Sequence, residues 1–278
     1  MSVLSRVLIL AFLIVFSQAS FAKQVVRITT GEWAPYISES IDQKGLITQI
    51  TKEAFAKKNI DVEIGFFPWA RATELSKSGE WDATIAFARL KEREKFYLFS
   101  RTLYIGRYAF FHLKSQPFFW TGYEDLKEIK MASTRGFGGM GDDFLKAERS
   151  GVITVMRLTS DVQSFNMLKA NRVQAVPSDL EAGYVLLHKI YGKEANLFTH
   201  NPRLIQSSDY HLVVSKKNKN AQKIIDTFNE GLMLLHSSGR YDEILKTWYN
   251  KPIYRQSVPP EYLPAPKVTM RTPAHHRF

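Results

Sequence analysis

Residues 68–100 read PWARATELSKSGEWDATIAFARLKEREKFYLFS, and this stretch bears most directly on the fold and the function of the chain. It opens on Trp69 and Arg71, passes through a short strand pattern, and reaches a second cation, Arg93, just beyond that strand. Guanidinium groups bind carboxylates through a planar, two-pronged contact. An aromatic ring and two arginines close to one strand end therefore predict a site for a small organic anion.

Strand and helix patterns alternate on both sides of this stretch. Upstream, residues 25–29 and 62–66 have strand patterns, and residues 45–58 carry apolar side chains at helical spacing between them. Downstream, residues 104–113 form a long apolar strand pattern. Such alternation predicts an α/β protein with parallel strands covered by helices, in which ligands bind beyond the carboxyl ends of the strands.

The second half of the chain repeats the alternation. Strands are predicted at residues 129–133, 152–158, 173–176 and 210–215, and helices at 143–149, 161–170, 179–189, 218–235 and 241–249. Gly239 separates the last two helices. A chain of this length is expected to form two domains of about 100 residues each.

The N-terminus has the three-part pattern of a secretory signal peptide. Arg6 supplies the positive charge, residues 7–16 are an unbroken apolar run, and Ser20 and Ala22 provide small residues for cleavage. A membrane anchor is the alternative, but a spanning helix needs about 20 apolar residues. We therefore expect residues 1–22 to be removed and the mature protein to occupy a bacterial periplasm.

Composition excludes several classes of function. The chain has no cysteine, which excludes disulfides, thiol catalysis and cysteine-ligated metals. Its seven histidines show no metal-binding spacing, and neither G-x-S-x-G nor a P-loop is present. The net charge of +11 would suggest nucleic acid in a cytosolic protein. Export makes that partner unexpected, and a weak field that attracts anions is the remaining interpretation.

The two arginines of residues 68–100 also have purely structural interpretations. Arg93 can pair with Glu92 or Glu94 on a solvated helix instead of binding a ligand. Arg71 lies near a helix N-terminus, where the helix dipole disfavours a cation. It therefore needs a bound anion or an ion pair with Glu74, three residues further on.

A second set of candidates lies near the predicted strand ends. Glu32, Trp33 and Tyr36 occupy the loop after the first strand, and Trp69 follows the second. Aromatic rings at the mouth of a cleft can stack on a ligand or cover its apolar part. Packing of these rings in the core or between domains is the alternative.

The glycine-rich segment at 136–141, GFGGMG, matches the G-x-G-x-x-G dinucleotide fingerprint, with Asp161 beyond the next strand. The expected export argues against a soluble dinucleotide ligand. Backbone N–H groups of a glycine loop at a helix start can still bind an anion. Phe137 and Gly138 are therefore candidate ligand-binding residues.

Three motifs together resemble one family. GEWAPY at 31–36, GEWDATIAFARLKEREKFYLFSRTLY at 79–104 and GRYDEILKTWY at 239–249 are similar to those of bacterial extracellular solute-binding proteins of family 3. PWARA at 68–72 resembles a mostly uncharacterised subgroup of it. The resemblance implies a periplasmic binding protein fold of type II, with a cleft between two lobes. Lobe 1 would comprise residues 23–110 and 211–251, lobe 2 residues 111–210, and residues 252–278 a poorly ordered, proline-rich tail.

The resemblance also implies roles for individual residues. Arg93 corresponds to the arginine that binds the ligand α-carboxylate, and Asp179 to the acid that receives the α-ammonium group. The residues themselves leave a second interpretation of Asp179, as a helix N-cap. Trp33 or Tyr36 lies near the position of the aromatic residue that covers the ligand.

Three residues depart from the family pattern. Ala86 and Ala88 occupy positions where the family usually offers hydroxyl groups, and Arg71 adds a cation where amino-acid receptors often have an apolar residue. A dicarboxylate, an acidic or modified amino acid, or another small anion fits two arginines better than a standard amino acid.

The resemblance implies a receptor without catalytic activity or cofactor. We expect a monomer that captures a small polar solute and presents it to an inner-membrane ABC permease. One alternative is a periplasmic enzyme resembling cyclohexadienyl dehydratase, with Glu32 or Asp179 as general acid. The other is a sensory module that reports its ligand to a membrane partner.

Overall fold

The computed structural model describes residues 24–135 and 138–263. The predicted signal peptide, Phe137 and residues 264–278 of the predicted tail lie outside these residues. The strands are β1 (Val25–Thr30), β2 (Asp61–Phe66), β3 (Ala83–Ala88), β4 (Tyr97–Phe99), β5 (Tyr104–Leu113), β6 (Met131–Thr134), β7 (Val155–Leu158), β8 (Val176–Asp179), β9 (Phe198–His200) and β10 (Gln206–Ser215).

The α-helices are α1 (Leu46–Ala56), α2 (Trp69–Ser78), α3 (Lys91–Glu94), α4 (Gly141–Arg149), α5 (Asp161–Lys169), α6 (Leu180–Tyr191), α7 (Ala221–Ser237), α8 (Arg240–Tyr249) and α9 (Pro252–Arg255). Short 3-10 helices occupy Asp42–Lys44, Tyr123–Leu126, Gly192–Leu197 and Pro260–Tyr262. Among these described helices, none is both long enough and apolar enough to span a bilayer.

One large sheet runs through the molecule in the order β2-β1-β3-β10-β5-β8, with β4 added to β10 and β9 added to β5. The strands β1, β2 and β3 are parallel, as the alternation of strand and helix predicts. The strands β6 and β7 form a separate parallel pair. In contrast, β10 is antiparallel to both β3 and β5.

The two longest strands join two groups of elements. Residues Gln206 to Tyr210 of β10 pair with residues Tyr108 to Tyr104 of β5. Beyond this pairing β10 continues along β3 and β4, whereas β5 continues along β8 and β9. We call the first group, with β1 to β4, the β1–β3 side and the second the β6–β9 side. The lobe boundaries predicted from the family resemblance fall inside these two continuous strands.

Helices α1, α7 and α8 complete the core of the β1–β3 side. A Cβ atom on Gly231 of α7 would lie 2.0 Å from the Ala54 carbonyl oxygen, so glycine permits the close contact between α7 and α1. The rings of Phe55 and Phe228 meet across this contact at 5.3 Å. Burial of such large apolar side chains contributes about 1.5–3 kcal/mol each. This core holds the strands whose ends form the cleft.

Residues 252–263 pack against the body, which differs from the poorly ordered tail expected there. Pro252 occupies the first turn of α9, where its missing N–H group is not needed. Tyr254 is fully buried, and the Tyr262 ring contacts the His200 ring at 4.4 Å. The Tyr262 carbonyl also accepts a hydrogen bond from Arg107. These aromatic contacts carry the chain from α8 to the β6–β9 side.

The predicted strand at residues 173–176 is displaced towards its C-terminus. In the structure β8 covers Val176–Asp179, because its pairing with β5 extends to Asp179. Pro177 is tolerated since β8 lies at the edge of the large sheet. The short strands β4 and β9 have no clear alternation and were not predicted. The displacement makes Asp179 both the end of a strand and the start of a helix.

Candidate ligand-binding cleft

The cleft lies between the β1–β3 side and the glycine loop that precedes α4. Its lining consists of aromatic, small and cationic residues: Trp33, Trp69, Thr73, Ala86, Phe87, Ala88, Arg93, Gly138, Gly139 and Tyr210. The cavity measures about 20 Å³, which is room for roughly one water molecule. The structure therefore represents a closed arrangement of the two sides.

Arg93 is the cation of the cleft. It lies on the short helix α3, and its Nη1 atom donates to the Ala88 carbonyl oxygen at 3.1 Å. Its guanidinium lies 4.4 Å from the centre of the Phe87 ring, which orients the plane of the group. Burial lowers the pKa of Arg93, but guanidinium stays charged in proteins. The nearby Glu94 pairs with Arg89 at 2.6 Å.

Trp69 forms one wall of the cleft. Its indole packs on Gly31, where a Cβ atom would lie 2.5 Å from Trp69 Cε2. The indole N–H donates to the Glu32 carbonyl oxygen at 3.3 Å. Thr73 lies one turn further along α2 and also faces the cleft, and its hydroxyl donates to the Trp69 carbonyl oxygen at 2.8 Å. The small residue at position 31 therefore sets the position of the ring.

Arg71 does not reach the cleft, contrary to the expectation of a second clamp. It lies two positions after Trp69, which corresponds to about 200° around the helix. Its side chain is 55% exposed, and its Nη1 atom lies 3.7 Å from Glu74 Oε2. In this structure Arg71 therefore forms a surface ion pair with Glu74, three residues further on.

The three candidate residues in the loop after β1 lie in different surroundings. Trp33 lines the cleft, with its ring 4.9 Å from Tyr210 and 4.6 Å from Tyr36. Tyr36 is fully buried behind Trp33. Glu32 is exposed, and its carboxylate accepts from the Glu39 N–H at 2.9 Å. Glu32 is therefore not a cleft residue.

Ala86 and Ala88 line the cleft, and Ala86 has an unusual backbone. Its φ angle is +60°, in the left-handed region that disfavours an L-residue by about 1–2 kcal/mol. The register explains this angle. His211 pairs with Phe87 while Val213 pairs with Thr84, so two residues of β3 face one residue of β10. Such a bulge bends a strand, and bulges often occur beside functional sites.

The glycine loop closes the cleft from the β6–β9 side. A Cβ atom on Gly139 would lie 2.3 Å from the Tyr108 hydroxyl oxygen, and one on Gly138 would lie 3.1 Å from Arg93 Nη2. The Gly139 carbonyl accepts from the side chains of Gln206 and Ser208 at 2.8 and 2.5 Å. These glycines allow the loop to approach β5 and β10 closely, which gives the glycine pattern a packing role.

Asp179 is not among the described residues that line the cleft, and it accepts four hydrogen bonds inside the protein. It caps α6 by accepting from the N–H groups of Glu181 and Ala182 at 3.1 and 3.0 Å. Its carboxylate also accepts from the Tyr36 hydroxyl at 2.7 Å and from the Arg107 N–H at 3.1 Å. The helix-cap interpretation is therefore the one that the structure bears out, and Tyr36 serves Asp179.

Glu181 extends this arrangement into a buried carboxylate network, which we define as Tyr36, Tyr104, Arg107, Asp179 and Glu181. The Tyr104 hydroxyl lies 2.9 Å and the Tyr36 hydroxyl 3.0 Å from Glu181 Oε2. Arg107 Nη2 lies 3.4 Å from Glu181 Oε1. Burial, with the nearby Asp179 charge, raises the pKa of Glu181 to about 8, and burial raises that of Asp179.

Several residues of the cleft and of the network were not predicted from the sequence. Thr73 follows from Trp69 at helical spacing, and Gly139 belongs to the glycine segment already noted. Tyr210 begins a predicted strand, but the ring-to-ring contact with Trp33 joins positions far apart in the chain. Glu181 and Arg107 carry no sequence signal, because their pairing depends on how β5 and α6 pack.

The family that matches this chain agrees with its fold. The model of bacterial extracellular solute-binding proteins, family 3, matches residues 25–251. The chain belongs to this family. Its members are mainly non-enzymatic solute-binding proteins and are typically extracellular or periplasmic. The family resemblance and the α/β fold of the type II periplasmic binding kind are thereby confirmed.

Solved structures with this fold come from proteins with different roles. A mutant of ArgBP from T. maritima has a TM-score of 0.68 and 19% identity, over 82% of this chain and 96% of its own. A histidine kinase sensor domain with similarity to periplasmic binding proteins has a TM-score of 0.70 and 20% identity, over 82% of this chain and 97% of its own. The substrate-binding protein of an amino acid ABC transporter has a TM-score of 0.65 and 19% identity, over 82% of this chain and 100% of its own. Comparison with curated proteins gave no match.

Proposed function

We propose that this family member is a periplasmic receptor that binds a small solute with one anionic group and presents it to an inner-membrane ABC permease. The division into two lobes, residues 23–110 with 211–251 and residues 111–210, is part of this proposal. So is removal of residues 1–22 on export. The receptor acts as a monomer, and its cleft opens and closes around the solute.

One observation carries the proposal: Arg93 faces the same cleft as Trp33, Trp69 and Tyr210. A guanidinium can bind a carboxylate through two parallel hydrogen bonds, and large rings around it can cover the apolar body of a solute. Because Arg71 is on the opposite face of α2 and pairs with Glu74, one cation remains in the described lining. A single anionic group therefore suits the cleft better than a dicarboxylate.

The connection between the two sides supports reversible closure. Within residues 24–135 and 138–263, the chain itself crosses between the two sides only through β5, β10 and the segment 252–263. Domain closure around ligands commonly depends on a few such connecting residues. A cavity of about 20 Å³ must widen before a solute can enter. Binding energy then holds the closed form, which a membrane partner can distinguish from the open one.

Binding without catalysis is favoured by the positions of the two candidate acids. A general acid must lie within hydrogen-bond reach of its substrate. Glu32 is exposed and engaged with Glu39, and Asp179 accepts four hydrogen bonds inside the protein. Neither side chain lines the cleft. Neither of these two residues is therefore placed to act as general acid of a dehydratase-like reaction in this arrangement.

Sensing is the second candidate role, because a histidine kinase sensor domain shares the fold. The two roles differ in the partner that reads the closed form. Co-purification of the chain with detergent-solubilised membranes of its source, with and without ligand, separates them. Recovery of permease subunits supports transport, whereas recovery of a kinase supports sensing.

A ligand screen with two arginine variants tests the binding site itself. Amino acids, monocarboxylates, dicarboxylates and organic phosphates are screened by thermal shift, since a ligand at a hundredfold excess over its Kd stabilises by about 2.7 kcal/mol. Arg93→Ala is expected to weaken the best ligand by at least about tenfold, or 1.4 kcal/mol. The matched variant Arg71→Ala is expected to leave affinity within about threefold.

Two results would contradict the proposal. A ligand whose affinity is equally insensitive to both variants does not bind at Arg93. A screen in which no compound stabilises the protein removes the support for a small-solute receptor.

A further inference from the structure

We infer that the ligand is a carboxylate without an α-ammonium group, joined to an apolar, ring-sized body. The inference rests on the proposed function and narrows its ligand class. It separates this chain from receptors that read both charged groups of an amino acid.

The first support is the state of Asp179, the residue that the family resemblance assigns to an ammonium group. An ionised carboxylate offers about four acceptor positions. Asp179 uses Oδ1 for the Tyr36 hydroxyl and for two helix N–H groups, and Oδ2 for the Arg107 N–H. Three of the four donors crowd Oδ1, so Oδ2 keeps at most one acceptor position for a ligand ammonium.

The second support is the position of Asp179 relative to the cleft. Trp33 lines the cleft, its ring contacts the Tyr36 ring at 4.6 Å, and the Tyr36 hydroxyl contacts Asp179. On another side, Gly106 lies between Asp179 and the Tyr210 ring. A Cβ atom on Gly106 would lie 2.8 Å from Asp179 Oδ2 and 2.8 Å from Tyr210 Cε2. Aromatic rings therefore separate the carboxylate from the solute.

The third support is the charge of the lining. The described residues that face the cleft include one cation, Arg93, and no acidic side chain. Inside the network, the positive charge of Arg107 already lies beside Glu181 at 3.4 Å. Ala86 and Ala88 also contribute no hydroxyl acceptor. An ammonium group enclosed here would find no carboxylate among the described lining residues to balance its charge, and burial of an unbalanced charge is strongly unfavourable.

The lining also indicates the body of the ligand. Trp33, Trp69 and Phe87 surround the Arg93 end of the cleft, and Tyr210 completes the wall. Rings of this kind bind apolar or aromatic groups through their faces and edges. A planar carboxylate fits the guanidinium fork, so one anionic head and one apolar body account for the described lining.

Three probes that share one ring test the inference: 3-phenylpropanoate, L-phenylalanine and 2-phenylethylamine. A second pair, 4-methylpentanoate and L-leucine, repeats the comparison with an aliphatic body. Isothermal titration of the purified chain is expected to show each deaminated acid binding at least tenfold tighter than its amino acid. The amine is expected not to bind. Arg93→Ala should weaken the acids at least tenfold, and Arg71→Ala should not.

The possible failures are distinguishable. An amino acid that binds as tightly as its deaminated acid overturns the inference, and if that binding depends on Arg93 the receptor proposal stands. Tighter binding of an organic phosphate of the same body overturns the carboxylate assignment alone. If none of the probes binds, the inference is wrong. The receptor proposal falls with it only if the wider ligand screen also finds no Arg93-dependent ligand.

Discussion

The cleft around Arg93 and the buried carboxylate network around Asp179 lie on opposite sides of the Trp33 and Tyr36 rings. In the network, Asp179 accepts from the Arg107 backbone N–H, and Glu181 lies beside the Arg107 guanidinium and the Tyr36 hydroxyl. In the cleft, the cation lies among aromatic rings and glycines. The same kinds of charged residue therefore meet different surroundings: carboxylates held by internal donors in the network, and a guanidinium that faces the cleft.

Replacing Asp179 tests whether the network serves stability. Asp179→Ala removes the cap of α6 and leaves the Tyr36 hydroxyl and the Arg107 backbone N–H without their acceptor, so we expect a loss of about 1–3 kcal/mol. Urea denaturation followed by tryptophan fluorescence measures it. Asp209→Ala, at an exposed position of β10, is the matched control and should change stability by no more than about 0.5 kcal/mol. A cost below about 1 kcal/mol for Asp179→Ala would place the residue outside any stabilising network.

The pH dependence of stability isolates Glu181. Its pKa is raised from the ordinary 4.5 to about 8 in the folded protein, so the folded state holds a proton that the unfolded state has lost. Stability should therefore fall as pH rises towards 8, by roughly 1–2 kcal/mol between pH 6.5 and 8. The folded pKa of His200 is lowered to about 4 from 6.5. His200 therefore makes stability rise with pH, and it does so at lower pH than Glu181. Glu181→Gln should abolish the fall in urea titrations, and an unchanged fall would exclude Glu181 as its source.

Gly139→Ala tests whether the glycine loop must approach β5 for tight binding. The added methyl group would lie 2.3 Å from the Tyr108 hydroxyl oxygen, so the loop must move outward and closure is incomplete. We expect ligand affinity to fall about tenfold, or 1.4 kcal/mol, with a smaller effect on stability than Asp179→Ala. Gly122→Ala meets no atom within 4 Å and is the control. Equal affinities for the two variants would mean that binding does not require this contact.

Ala86→Gly tests for strain in the wall of the cleft. Glycine relieves the left-handed backbone at φ +60° but costs about 0.5–1 kcal/mol in chain entropy. We expect a net stabilisation of up to about 1 kcal/mol. Ala88→Gly, in regular strand, should instead destabilise by about 0.5–1 kcal/mol. Thermal denaturation of both variants measures the difference, and equal destabilisation would show that position 86 carries no strain.

Sequence patterns predicted the elements of the fold better than their exact pairing. The alternation of strand and helix identified the parallel strands β1, β2 and β3, because each buries an apolar run under a helix. It did not show that β10 returns antiparallel beside β3, or that two residues of β3 bulge opposite Leu212. Pairing between distant strands depends on contacts that local propensity does not contain.

The residues of the candidate site also differ in how well the sequence predicted their positions. Arg93, Trp33 and Trp69 were predicted from their positions after strands, and they line one cleft. Arg71 was not placed correctly, because a difference of two helical positions turned it to solvent. Asp179 has two interpretations in the sequence, and the structure shows the helix cap through the N–H groups of Glu181 and Ala182.

The sequence by itself determined the α/β class, the family and the presence of a cation beside aromatic rings at a strand end. These properties follow from residue type, short-range spacing and motif content, which are local. Tertiary structure alone decided which arginine faces the cleft and which carboxylate is already satisfied. Both depend on neighbours that are remote in the chain, since the hydrogen-bonding capacity of a buried charge is set by the groups that the fold brings against it.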